Sequence, residues 1–149
     1  MAITIEVGTN SYITLAEANT ILEIYPEYIL WGLLTDVEKN NLLVRATRNI
    51  ENNYYSNKKN YTQKLSFPLY YQSSVLDVIK EAQAIEAISL IDISLIKESG
   101  EYKSGLLSEK VREASKTYSD SKANSLTRAI RSDKAYRMLN RFIKKTAPY

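Results

Sequence analysis

Twelve tyrosines share this 149-residue chain with 20 lysines and arginines. Aromatic rings beside cations can bind single-stranded nucleic acid, the ring taking the face of a base and the cation a phosphate. Much of the tyrosine falls in "NNYYSNKKNY" (52–61) and "PLYYQ" (68–72). A plainer reading is that tyrosine is amphipathic and settles at rims and subunit contacts. The cations concentrate elsewhere. Residues 1–120 hold 12 Lys and Arg against 16 Asp and Glu, a balance of −4, whereas residues 121–149 hold 8 against one, a balance of +7. A basic end on an acidic body seeks an acidic partner, either nucleic acid or the acidic face of a protein.

Other chemistry is thinly provided for. With no Cys there is no thiol nucleophile and no thiolate zinc site; with no His the commonest general base and metal ligand are missing. The four glycines stand singly at 8, 32, 100 and 105, so no phosphate-cradling glycine loop is present. The expectation is a protein that is not an enzyme, with no catalytic residues, no metal and no cofactor.

The basic end reads as an amphipathic helix. Ser132 is a candidate cap; Lys134, Arg137, Arg141, Lys144 and Lys145 share one face, and Ala135, Met138, Leu139 and Phe142 another. A solvated face, a phosphate-binding face and a protein-docking face all fit. Docking is preferred, because Met138, Leu139 and Phe142 need burial and because aromatic and arginine side chains concentrate in interface cores.

The elements that must carry these residues read mainly as helix. Thr14 with Glu17 and Thr35 with Glu38 form capping boxes. The first opens a helix with Leu15, Ala18 and Leu22 on its stripe, stopped before Pro26. The second opens "DVEKNNLLVRATRNIENNYY", with Leu43, Ala46, Ile50 and Tyr54 on one side. Between them lies the short apolar piece "ILWGLL", holding the single Trp. Residues 56–73 lack a helical period and read as a long connecting loop, a length that suggests a contact role. Residues 74–96 form the most apolar element, greasy on more than one side. It is either the central helix of a bundle or a helix whose second face meets a neighbouring subunit. For "KSGLLSEKVREASKTYSD" (103–120), Leu107, Val111, Ala114 and Tyr118 fit one helical face, while alternation from Arg112 to Tyr118 fits an extended ribbon. No apolar run is long enough for a membrane span, and the N-terminus lacks the pattern of a signal peptide, so cytoplasmic synthesis is expected.

Several stretches, taken together, resemble a known family. "NSYITLAEANTIL" is similar to the "NSYVSVAEAD" start of tailed-bacteriophage head-to-tail adaptors, also called head-completion or connector proteins. Trp31, "TDVEKNNLLVRATRNIE", "KLSFP", "VIKEAQAIEAISL" and "LLSEKVREASKTYSD" follow in the same order, covering roughly residues 9–120. Some members carry the label of DnaT-like single-stranded-DNA-binding proteins. The chain departs from the pattern at Leu69, at "SSVLD" and at Arg112, where the family often has Arg, Pro and Gly.

The resemblance implies a structural adaptor in the virion at the head–tail junction, made in the cytoplasm of a bacterial host. It would form a twelvefold ring of copies beneath the portal protein, seat a stopper or tail-terminator protein, and let DNA pass without specific binding. No membrane is involved. It also favours an extended segment or hairpin at 106–120. The expected architecture is a small, mainly α helical bundle with a long connecting loop, that extended or hairpin segment, and a C-terminal helical arm. The body would be residues 1–120 and the docking arm 121–149. Portal-binding residues would be Arg128, Arg131, Arg137, Met138, Leu139 and Arg141, with Phe142, Lys144, Lys145 and Tyr149. Ala84, Ala87, Leu90 and Ile93 would supply the subunit contact. The alternative is a single-stranded-DNA-binding protein that uses tyrosine stacking and the basic C-terminal helix.

Overall fold

A computed structural model describes residues 3–91 and 129–144. The described residues are helical, with no strand and only two isolated bridges. Helix α1 spans Leu15–Leu22, α2 Tyr28–Gly32, α3 Asp36–Glu51, α4 Asp77–Ser89 and α5 Asp133–Leu139, the last continued by a 3-10 turn at Asn140–Phe142. The segment at 106–120, left open between helix and ribbon, lies outside the described residues.

Both expected capping boxes form. Thr14 accepts from the Glu17 amide at 3.1 Å while Glu17 accepts from the Thr14 amide at 3.1 Å. Thr35 and Glu38 repeat the exchange at 3.2 and 3.1 Å. Each pair satisfies amides that the start of a helix otherwise leaves unbonded. Past α1 the chain turns through Pro26 into α2. There Trp31 is fully buried, with its indole N–H donating to Asn19 at 2.7 Å, the partner a buried indole requires.

Helix α4 is central, packing against α5, α3, α1 and α2. Eight of its residues are buried, from Ile79 through Ile88. Its second greasy side therefore faces the chain's own interior. Ala84 and Ala87, expected at a subunit contact, are fully buried against α1, α2 and α3, and Leu90 packs on the same cluster. The reason is size: alanines at these positions let neighbouring helices approach α4 closely. Ile93 lies outside the described residues. The helix ends at Ser89, earlier than expected. Tyr54 also departs from expectation. Helix α3 stops at Glu51, so Leu43, Ala46 and Ile50 are buried while Tyr54 falls beyond the helix and is 54% exposed.

Two apolar clusters share α4. The first joins α1, α2 and α3 to Ile91. The second joins Ile50, Tyr55, Leu65, Phe67 and Leu69 to Ile79, Ile130, Leu139 and Phe142. Leu139 and Phe142, expected to be sheltered by a different polypeptide, are buried here in their own chain, and Met138 packs partly against the same cluster. Residues 129–144 are thus part of the body, not a separate arm. The apolar face of α5 found its cover on α4 and on the 55–69 loop.

Buried polar side chains fix this arrangement. Gln83 accepts from the Tyr12 amide at 2.8 Å and donates to Ser11 at 2.8 Å and to the Leu43 carbonyl at 3.1 Å. It ties the N-terminal segment to α3 and α4. Glu86, one helical turn further on, accepts from the amides of Arg131 at 2.8 Å and Ser132 at 2.7 Å, and from Asn49 at 2.7 Å. That carboxylate clasps the entry to α5.

Candidate nucleic-acid interface

The stretch from Asn52 to Leu76 contains no acid, but holds Lys58, Lys59, Lys64 and five tyrosines. It lacks the period of a helix and folds instead as a short ribbon. Lys58 pairs antiparallel with Leu69; the Lys59 amide donates to the Pro68 carbonyl at 3.0 Å and the Tyr70 amide to the Asn57 carbonyl at 2.9 Å. Paired backbone of this kind alternates its side chains between two faces. Leu69 is accordingly buried and Tyr70 exposed. A turn closed by the Gln63 amide on the Asn60 carbonyl at 3.1 Å carries Tyr61 at the tip.

Of the five tyrosines in this stretch, four are exposed: Tyr54, Tyr61 at 96%, Tyr70 and Tyr71. Tyr70 and Tyr71 meet edge to face with centroids 5.1 Å apart. Lys58, Lys59 and Lys64 are exposed among them. Together these side chains make this loop the candidate contact surface.

The platform rests on a packed aromatic base. The Phe67 ring meets Tyr55 at 4.7 Å, Phe142 at 5.6 Å and Tyr12 at 5.9 Å, all edge to face. The Phe67–Pro68 peptide is cis. Glu51, at the end of α3, accepts from the Tyr12 hydroxyl, from the Ser66 amide at 2.9 Å and from the Ser66 hydroxyl at 3.0 Å. Burial, with the Glu51 charge beside it, pushes the Tyr12 hydroxyl well above the ordinary tyrosine range; burial does the same to Tyr55. Both rings pack edge to face on Phe67 and so brace the loop.

The basic end meets this loop. The Lys144 amide donates to the Tyr54 carbonyl at 2.8 Å. The Arg141 guanidinium lies over the Phe142 ring, 4.7 Å from its centroid, and that ring packs on Phe67. Arg141 and Lys144 are exposed. Distant in sequence, the tyrosine runs and part of the cationic end become neighbours in space.

The other expected contact residues divide. Arg131 is exposed, its amide bound to Glu86. Arg137 is exposed and pairs with Asp133 at 2.9 Å. Lys134 lies over the Tyr25 ring at 4.2 Å. Tyr25 in turn donates to Glu81, and its hydroxyl is pushed up to about 12, first by burial and then by that carboxylate. Arg128, Lys145 and Tyr149 lie outside the described residues. The polar anchors Glu51, Gln83 and Glu86 were not singled out by sequence reasoning. Two polar residues three apart on the apolar side of α4 were the available signal.

Cavities open on the surface of the described residues. One of about 540 Å³ lies between α1 and α4, lined by Ala16, Ile21 and the 80% exposed Ile24, with Glu17, Lys80 and Glu81 beside them. Another, of about 340 Å³, lies between the N-terminal turn at Val7–Gly8 and the 59–68 loop. Among the described residues no group of His, Cys, Asp or Glu is arranged to hold a metal, and no helix is long and apolar enough to cross a membrane.

Residues 1–148 match the family described as "Putative DnaT-like ssDNA binding protein". No curated protein and no solved structure matches the chain.

Proposed function

We propose a function from one premise: the chain belongs to this DnaT-like family. It binds single-stranded DNA, without turnover, on the face formed by the 52–73 loop and the end of the chain. Tyr61, Tyr70 and Tyr71 stack on bases, while Lys58, Lys59, Lys64, Arg141 and Lys144 neutralise phosphates. The observation that supports this reading is the junction of Lys144 with Tyr54 and of Phe142 with Phe67, which sets the cationic end against the tyrosine-bearing loop. Stacking tolerates any base, because every base has a π-face, so little sequence preference is expected. The test is fluorescence anisotropy with a labelled oligo(dT) strand and the same sequence as a duplex. Saturable binding to the single strand, weaker on the duplex and weakened by salt, supports the reading. Equal or absent binding refutes it.

A second reading keeps the adaptor that the residue stretches resemble. The apolar cleft around Ile21 and Ile24 favours it, because an exposed isoleucine beside a concave apolar surface suits protein contact. In that reading the cleft, rather than Ala84 and Ala87, makes the subunit contact in a ring. The portal would meet Arg131, Arg137, Arg141 and Lys144, with no help from the buried Leu139 and Phe142. Electron microscopy of the chain mixed with a portal protein distinguishes the two: ring density on the portal supports the adaptor, and its absence counts against it.

A further inference from the structure

We propose that the cavity of about 340 Å³ beneath the tyrosine ribbon is a subsite for one nucleotide, its base inserted and its phosphate at the rim. The proposal rests on the single-stranded-DNA reading and adds to it a seat for one unstacked base. Ligand pockets run from about 300 to 1,000 Å³, and this one, at the small end, suits a mononucleotide rather than a larger cofactor.

Its chemistry is divided as such a ligand requires. Val7, Phe67, Pro68 and Val75 give apolar walls for a flat ring. Lys59, Asn60 and Ser73 stand at the opening and are all exposed. Polar side chains that also line it are already bonded within the protein. Gln63 accepts from the Asn60 amide at 3.1 Å and donates to the carbonyls of Leu65 and Pro68 at 2.8 and 3.0 Å. The Tyr12 hydroxyl donates to Glu51 and accepts from the Phe67 amide at 3.3 Å.

That leaves the ammonium of Lys59, the amide of Asn60 and the hydroxyl of Ser73 as the groups free for a ligand. A carboxamide both donates and accepts, which matches the edge of a base, and an ammonium matches a phosphate. The opposite wall is the turn at Gly8, whose φ of +88° is one that side chains disfavour, and a Cβ there would meet nothing within 4 Å. Backbone thus borders open space on that side.

The test uses the full ¹⁵N-labelled chain with thymidine 5′-monophosphate and, separately, an oligo(dT) strand. The nucleotide is expected to shift the Asn60 side-chain amide and the Gly8 amide saturably. Ser73→Trp, which fills the opening from an exposed position, abolishes those shifts, and Asn60→Ala weakens them about tenfold, the size of one lost base contact. If Ser73→Trp also lowers oligo(dT) affinity, the seat serves a strand; if affinity holds while the nucleotide shifts vanish, it serves free nucleotide. No saturable shift, together with unchanged oligo(dT) binding by Ser73→Trp, overturns the subsite and leaves strand binding standing. If oligo(dT) fails to bind the unaltered chain, the strand reading falls, and the nucleotide titration alone decides the cavity.

Discussion

Single side chains divide here into those that brace and those that reach outward. Tyr12 and Tyr55 are buried against Phe67, whereas Tyr61 and Tyr70 are exposed above them. Tyr61→Ala should therefore weaken oligo(dT) binding by about 1–2 kcal/mol, roughly tenfold, with an unchanged melting temperature. Glu86 makes the sharpest residue-level prediction about stability. Burial raises its carboxyl above the ordinary value of 4.5, and the amides of Arg131 and Ser132, with the Asn49 and Ser89 side chains, only partly offset this. Above that value the unfolded chain has released a proton that the native chain still holds. Stability then falls with rising pH, by about 1.4 kcal/mol per unit, until the native carboxyl also ionises. Glu86→Gln removes this slope and sets an amide nitrogen against a backbone N–H, costing about 1–3 kcal/mol at neutral pH. Denaturant titrations of both proteins between pH 4 and pH 7 would measure the difference.

Elements differ in how openly the sequence announces them. Thr14 with Glu17 and Thr35 with Glu38 marked the starts of α1 and α3, because a cap is local chemistry written within four residues. The 56–73 loop was legible as a loop, but its ribbon was not: only two amide–carbonyl pairs and the Lys58–Leu69 bridge define it, and pairing across ten residues leaves no period. The cover over α5 was illegible for another reason. Its apolar stripe demanded burial, and nothing in the stripe says whether the shelter is α4 or another chain. The signal lay on α4, where Glu86 interrupts the apolar surface. At this scale the prediction concerns the ribbon. If Lys58, Lys59, Lys64, Arg141 and Lys144 each neutralise one phosphate, log affinity should fall with log salt at a slope of roughly −3.5. Replacing the three lysines by glutamine should flatten that slope to less than half. A slope unaffected by those replacements would place the contact elsewhere.

Taken whole, the molecule is held together around α4, with an N-terminal cluster and a second cluster that includes the last described residues. An acidic body with a detachable cationic arm would survive loss of residues 129–149. The body seen here would not, because Ile130, Leu139 and Phe142 cover Phe67 and Ile79. Deleting 129–149 should lower the melting temperature by more than 10 °C, given that removing even one large core side chain costs about 3–5 kcal/mol and that each kcal/mol shifts a domain of this size by several degrees. It should also raise dye binding to exposed apolar surface.

Ile91 and Ile130 are both buried, one in each cluster. The contacts that hold residues 129–144 to residues 3–91 are side chains packed on α4 and on the 55–69 loop, and such contacts form whether or not the two pieces share one covalent chain. Two half-genes, one encoding 1–110 and the other 111–149, should yield fragments that find each other in the same cell and co-purify. Glu86→Ala, which strips the clasp from one half, should let them part.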